Sequence, residues 1–279
     1  MYAESKYRVK SSFPITMNDS NLFLKQLYQR EDARSSVYAD QITVENFLNH
    51  SQVEQQIEHY KSILPTNKDC KILDIGVGEG WFAAVCSHLG YKHIEMADYH
   101  CSARFSDVSN SLEEITTILD VETSIQDLLM KNELVNQYDF IHMSHVIEHI
   151  PKHDLIKTMD ALNAALCDGG VLFLRCPNML GPLPMMSLYV TMGHEYGFIP
   201  SNLDQLFLGT NFTNIKFYTF KDRPKNLRHL LGAILRKVYT LNAQLKYRAF
   251  EGYVASTFHP ELIASGKKCK DKDRLIIKD

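Results

Sequence analysis

One short stretch limits the fold of this chain more than any other. The apolar run Leu73-Asp74-Ile75 opens into Gly76-Val77-Gly78-Glu79-Gly80 and then into the helical pattern WFAAVCSHLG. Glycines there let a strand turn sharply into a helix and let a ligand approach the backbone, where the unpaired N–H groups of the helix start face it. A chain built this way carries a nucleotide-type site at the carboxyl end of a parallel strand. A dinucleotide loop reads G-x-G-x-x-G and needs glycine at position 81; the bulky Trp81 stands there and disfavours NAD.

Around this loop, short apolar runs alternate with helical segments, the signature of βαβ units. KILDIGV reads as the first strand, WFAAVCSHLG as a helix closed by Gly90, and HIEMADY as the second strand. VETSIQDL is expected as the third strand and YDFIHMS as the fourth. GGVLFLRCP is expected as the fifth, entered through a Gly169-Gly170 turn after the helix HDLIKTMDALNAALC. FTNIKFYTF and ELIASGKK complete the set. The pattern predicts a doubly wound, Rossmann-like α/β fold with a seven-stranded, mostly parallel sheet and helices on both faces. Residues 1–50, polar and aromatic, are expected to form a cap or lid; 51–279 form the main domain, with a helical insertion at about 222–250 before the last strand.

The composition sets limits on partners. With 279 residues, 45% hydrophobic and 23% charged, the chain can bury a sizeable core, and its net charge of -3 argues against a surface built for nucleic acid. The six cysteines, Cys70, Cys86, Cys101, Cys167, Cys176 and Cys269, make no C-x-x-C pair and read as reduced thiols. No apolar run reaches the ~20 residues needed to span a bilayer, and the N-terminus carries no secretory pattern. A cytoplasmic protein is expected.

LDIGVGEG resembles motif I of class I S-adenosylmethionine-dependent methyltransferases, with Asp74, Gly76, Gly78 and Gly80 in the matching positions. The resemblance runs from about Cys70 to Gly197. It includes the acidic Asp98 at the end of the second strand, the acidic Asp127 after the third, and LCDGGVLFL where the family often reads L-K-P-G-G. It implies that S-adenosylmethionine is the cofactor. In this reading the glycine loop and Asp74 receive it, Asp98 accepts its ribose hydroxyls, and Asp127 or the neighbouring Gln126 meets its adenine amino group.

A second motif pulls the other way. His145-Val146-Ile147-Glu148-His149 has the H-x-x-E-H spacing of a zinc helix. Pro151 follows too closely for a helix to carry both histidines through a full turn, so no metal is expected. MSHVIEHI instead resembles the end of the family's fourth strand, and GHEYGFIPSNLDQLFLGTNF resembles a later family segment in which Asn211-Phe212 replaces Gly-Phe. This makes His149 and His194, ahead of His145, the candidate bases for taking a proton from an acceptor hydroxyl. A structural role for each of the three stands beside the catalytic one.

Cys176-Pro177 does not read as a pyrimidine-attacking nucleophile, because the Pro-Cys pair expected after the fourth strand is absent. No Asn/Asp-Pro-Pro-aromatic motif is present either, which weakens adenine or glutamine N-methylation. The loop PNMLGPLPMMSLYVTMGHEYGFIPS is long enough to carry specificity. The basic stretch from Lys221 to Arg248 reads as a solvated helix, a homodimer contact, a membrane-surface helix or a wall for an anionic acceptor. The composition of this region is similar to that of bacterial surface-polysaccharide and secondary-metabolite methyltransferases. The expectation is therefore methyl transfer to oxygen on a small polar acceptor such as a sugar, a nucleotide-linked sugar or a phosphorylated metabolite. The alternatives are an RNA or protein methyltransferase, or a methyltransferase-like domain that binds without turnover.

Overall fold

The computed structural model of the chain describes residues 51–78, 80–98, 112, 116–121, 124–219, 226–252 and 257–269. The cap expected at 1–50 lies outside the described residues. Seven strands form one sheet: β1 Lys71–Ile75, β2 His93–Asp98, β3 Thr116–Asp120, β4 Tyr138–Ser144, β5 Leu166–Pro177, β6 Phe212–Tyr218 and β7 Glu261–Lys268. The helices are α1 Ser51–Lys61, α2 Trp81–His88, α3 Ile125–Leu129, α4 Leu155–Ala165, α5 Pro184–Tyr189, α6 Pro200–Gly209 and α7 Leu227–Glu251.

The strand order is β3-β2-β1-β4-β5-β7-β6, with β7 antiparallel to both its neighbours and the remaining pairs parallel. The chain moves outward from β1 through β2 to β3, then returns to β1's other side to lay down β4. Direction reverses between β1 and β4, the kind of switch point at whose carboxyl side doubly wound sheets bind ligands.

Alternation along the strands divides the core in two. Leu73, Ile75, Ile141 and Met143 pack with Leu129, Leu162 and Phe207 of α3, α4 and α6. Ile72, Phe140 and Phe173 pack on the other face with Tyr60 of α1 and Phe82, Val85 and Cys86 of α2. Strands buried on both faces read as continuous apolar runs, which is why β1 and β4 stand out in the sequence.

Two expectations about the strands are corrected. The third strand is Thr116–Asp120, not the stretch at 121–128, where Ser124 instead caps α3: its Oγ accepts a hydrogen bond from the Asp127 amide at 3.0 Å. Helix capping by serine wins over the weak strand pattern of VETSIQDL. Gly169 and Gly170 do not precede β5 but lie within it, where the register moves from Tyr138↔Leu166 to Phe140↔Val171. Gly169 takes φ 77° at this irregularity.

Candidate functional site

The glycine loop joins β1 to α2, and its glycines do different things. Gly76, Gly78 and Gly80 all have positive φ, at 74°, 55° and 78°. A Cβ on Gly76 would lie 2.0 Å from Val146 Cγ2, so this glycine admits the loop after β4. A Cβ on Gly78 would meet nothing within 4 Å among the described residues. Gly78 thus has no side-chain neighbour of this kind among the described residues, and its amide donates to Asp98 Oδ2 at 3.4 Å. The Gly76 amide donates to the carbonyl of Ala97 at 2.9 Å, fixing the loop to β2.

Beneath the loop, Asp74 is 1% exposed. Its Oδ1 lies 2.7 Å from His142 Nδ1, and His142 Nε2 lies 2.9 Å from the Tyr60 hydroxyl. Burial pushes the Tyr60 hydroxyl far above its ordinary pKa, so it stays a neutral donor. Tyr60 then donates to Nε2, and Nδ1–H donates to the carboxylate. The His142 ring stacks on Phe82 with centroids 3.8 Å apart. Asp74 Oδ2 is buried with no hydrogen-bond partner among the described residues. His142 escaped the sequence reading; its one signal was a polar residue at an inward position of an apolar strand, in register with Asp74.

Asp98 ends β2 beside the loop. Asp127 stands in the first turn of α3, where its Oδ2 accepts from Ser124 Oγ at 2.6 Å. Gln126 Oε1 accepts from Thr158 Oγ1 at 3.3 Å, which turns this side chain toward α4.

The three histidines separate into a pair and an outlier. After β4 the chain makes only a three-residue 3-10 turn, Ile147–His149, so His145 and His149 do not share a helix face. His145 has φ 55°, and its ring lies 3.2 Å from Glu148 Oε1 and 3.5 Å from Glu261 Oε1. Burial works against its positive charge, but hydrogen bonds to Glu148 and Glu261 outweigh it and raise the pKa to about 9. Such a histidine is a poor base at neutral pH. His149 instead meets His194, with ring centroids 4.7 Å apart. Burial lowers the pKa of His149 and favours the neutral ring.

Backbone bonds assemble this pair. The carbonyl of Glu148 accepts from the amides of Glu195 at 2.8 Å and Tyr196 at 3.2 Å, joining the loop after β5 to the turn after β4. His149 Nδ1 is 2.9 Å from the Gly193 carbonyl, and His194 Nδ1 is 2.7 Å from that of Ser187. Glu148 lies beside both rings, 2% exposed. Within the H-x-x-E-H motif it reads from sequence as a loop brace or a pocket residue, and here its carboxylate gathers with the two rings.

This edge of the sheet suits an adenosyl sulfonium compound. Among the described residues nothing crowds Gly78, the Asp98 carboxylate lies beside it, and a buried Asp74 oxygen lacks a partner.

A family model described as a methyltransferase domain matches residues 23–216. No curated protein sequence matches the chain. Similar solved structures include an S-adenosylmethionine-dependent methyltransferase from Archaeoglobus fulgidus, 15% identical with a TM-score of 0.55, over 77% of this chain and 94% of that one. Phosphoethanolamine N-methyltransferase 2 from Haemonchus contortus, in complex with S-adenosyl-L-methionine, is 17% identical with a TM-score of 0.56, over 92% of this chain and 62% of that one. The 1,6-didemethyltoxoflavin-N1-methyltransferase of Burkholderia thailandensis is 10% identical with a TM-score of 0.55, over 89% of this chain and 88% of that one. These likenesses are of fold. No helix among the described residues is long and apolar enough to cross a membrane. Through the match over residues 23–216, the chain belongs to the methyltransferase-domain family and is a class I S-adenosylmethionine-dependent methyltransferase.

Proposed function

We propose that this enzyme methylates an oxygen of a small polar acceptor in the cytoplasm, with a sugar, a nucleotide-linked sugar or a phosphorylated metabolite as the acceptor class. The observation that carries the reading is the His149–His194 pair at the carboxyl edge of the sheet, on the turn after β4 and the loop after β5. In this reading Gly76, Gly78 and Gly80 shape the cofactor loop. Asp98 accepts the ribose hydroxyls. Asp127 or Gln126 meets the adenine; each has one oxygen engaged, Asp127 by Ser124 and Gln126 by Thr158. Asp74 supports the loop from beneath, through His142 and Tyr60.

The bound cofactor supplies an electrophilic methyl group on a sulfonium. The protein's part is to hold the acceptor oxygen in line with it and to let the hydroxyl proton leave. Positioning alone can remove about 7–11 kcal/mol of the barrier. A neutral imidazole adds about 10²–10⁴-fold as a base, a role open to His149 or His194. The loop after β5 carries an exposed apolar stretch that includes Met185, Met186, Tyr189 and Met192, and this reading places the acceptor against it. Thioether side chains adapt to the shape of a ligand. His194 is tied to this stretch through the carbonyl of Ser187.

The test is direct. Titration with S-adenosylmethionine by calorimetry should give one site per chain, and a screen of sugars, nucleotide-linked sugars and phosphorylated metabolites should release S-adenosylhomocysteine with at least one. Cofactor binding without turnover on any of them, together with turnover on RNA or a protein, would overturn the acceptor class.

A further inference from the structure

We propose that Glu148, His149 and His194 bind one divalent transition-metal ion, whose open position receives the acceptor oxygen. The inference deepens the function proposed above and rests on it for the acceptor, though not for the metal; with the ion bound, His149 and His194 act as its ligands in place of the base role given there.

The donor atoms are already gathered. One carboxylate oxygen of Glu148 and one nitrogen from each of His149 and His194 all lie within 4.8 Å of one another. The orientation of the rings is fixed. His149 Nδ1 faces the Gly193 carbonyl at 2.9 Å, and His194 Nδ1 faces the Ser187 carbonyl at 2.7 Å. A carbonyl only accepts, so each Nδ1 carries the hydrogen and each Nε2 presents its lone pair. A backbone carbonyl behind each imidazole is the usual support of a metal-ligating histidine, because it sets the tautomer and raises the basicity of the other nitrogen.

The carboxylate is a second and independent observation. Glu148 is 2% exposed, and its Oε2 is buried without a hydrogen-bond partner among the described residues. Its Oε1 stands 4.0 Å from His194 Nε2, too far for a hydrogen bond. The cluster thus collects lone pairs in a buried place. His145 already partners Oε1 at 3.2 Å, so it is Oε2, together with the two imidazoles, that a cation would engage, a buried carboxylate oxygen being costly to leave without a partner.

Two nitrogens and one oxygen suit zinc, iron(II), cobalt or manganese rather than magnesium or calcium, which take oxygen ligands. Three protein ligands leave a position open, as in catalytic rather than structural sites. The sequence spacing pointed to His145 with His149 and led away from a metal. The fold substitutes His194, which the loop after β5 delivers, while His145 is drawn to Glu148 Oε1 and Glu261. In the reaction the acceptor hydroxyl, held by the cation, releases its proton to solvent. Its oxygen forms the bond to the methyl carbon as the sulfur–carbon bond breaks, and sulfur keeps the electron pair.

The test uses the full chain treated with a chelator, dialysed, and titrated with cobalt(II) as a spectroscopic probe. Visible ligand-field absorption should saturate at one ion per chain, and zinc should displace it. Glu148→Gln and His194→Ala should each weaken cobalt affinity by about 100-fold or more, a larger effect than losing a supporting group. His153→Ala, which removes an exposed histidine nearby, should leave it unchanged. Affinity for S-adenosylmethionine, measured on the same samples, reports that each variant is folded. If the wild-type chain binds the cofactor but shows no saturable cobalt spectrum, the metal site is refuted and the methyltransferase reading stands. Equal loss of cobalt in His153→Ala would also refute it. Failure of the wild-type chain to bind S-adenosylmethionine would count against the proposed function instead.

Discussion

Val146 Cγ2 occupies the place a side chain on Gly76 would need, 2.0 Å from its Cβ position. The first glycine of the loop is therefore a packing residue, and the second is the one a side chain would not crowd among the described residues. Gly76→Ala should lower stability by about 2–5 kcal/mol, the sum of a left-handed backbone penalty and overpacking. Gly78→Ala carries only the backbone penalty, about 1–2 kcal/mol. Chemical denaturation checks the difference, and Val146→Ala should recover part of the loss in the Gly76 variant. Gly78→Val, folded, should fail to bind S-adenosylmethionine; normal binding by calorimetry would remove Gly78 from the cofactor site.

Asp98 stands within hydrogen-bonding reach of the loop and is assigned the ribose hydroxyls. Asp98→Ala should weaken cofactor affinity by about 1.5–3 kcal/mol, one or two charge-assisted hydrogen bonds. An unchanged dissociation constant would place the ribose elsewhere.

His142 joins the Asp74 carboxylate to Tyr60 in a buried line. His142→Ala leaves Asp74 Oδ1 without this donor and Tyr60 without this acceptor. A loss of about 2–3 kcal/mol in unfolding free energy is expected, from a hydrogen bond to a charged group. A variant as stable as the wild type would mean that the line contributes nothing to the fold.

His149→Ala and His194→Ala should each reduce turnover about 10²-fold or more on the true acceptor while sparing cofactor affinity. Near-normal turnover in both would return the pair to a structural role and point to an acceptor that is already an anion or a free amine.

Glu261 holds Arg175 with both carboxylate oxygens, at 2.6 and 3.0 Å. Burial works against its charge, but hydrogen bonds from His145 and Arg175 bring its pKa down to about 2. A folded pKa below the unfolded value contributes stability above the unfolded pKa, about 4.3, and loses it as pH falls toward the folded value. The stability difference between the wild type and Glu261→Gln should therefore be largest near neutral pH, about 2–3 kcal/mol, and shrink between pH of about 4 and about 2. A difference independent of pH across that range would show that the charge is not the cause.

The residues explain which features were legible from the sequence. β4 and β7 begin and end where YDFIHMS and ELIASGKK place them, whereas β1 stops at Ile75, two residues short of KILDIGV, because Gly76 turns with positive φ into the loop. The third strand was misplaced because TTILD is short and VETSIQDL also alternates, whereas Ser124 and Asp127 close a helix cap that no strand pattern reveals. Asn211, standing where the related segment has glycine, takes φ 62°, so the departure from the motif keeps the backbone demand. The histidine cluster was half legible. Spacing along the chain pairs His145 with His149, but His149 meets His194 only because the carbonyl of Glu148 receives two amides from a distant loop.

That double acceptance has a kinetic meaning. The amides of Glu195 and Tyr196 end on a single oxygen, so the loop after β5 cannot lift from the turn after β4 one bond at a time without straining the other. The two amides should therefore exchange their hydrogens with solvent at a common rate. Each such opening also parts His194 from His149, so the groups proposed to act on the acceptor exist as a unit only while the door over them is shut.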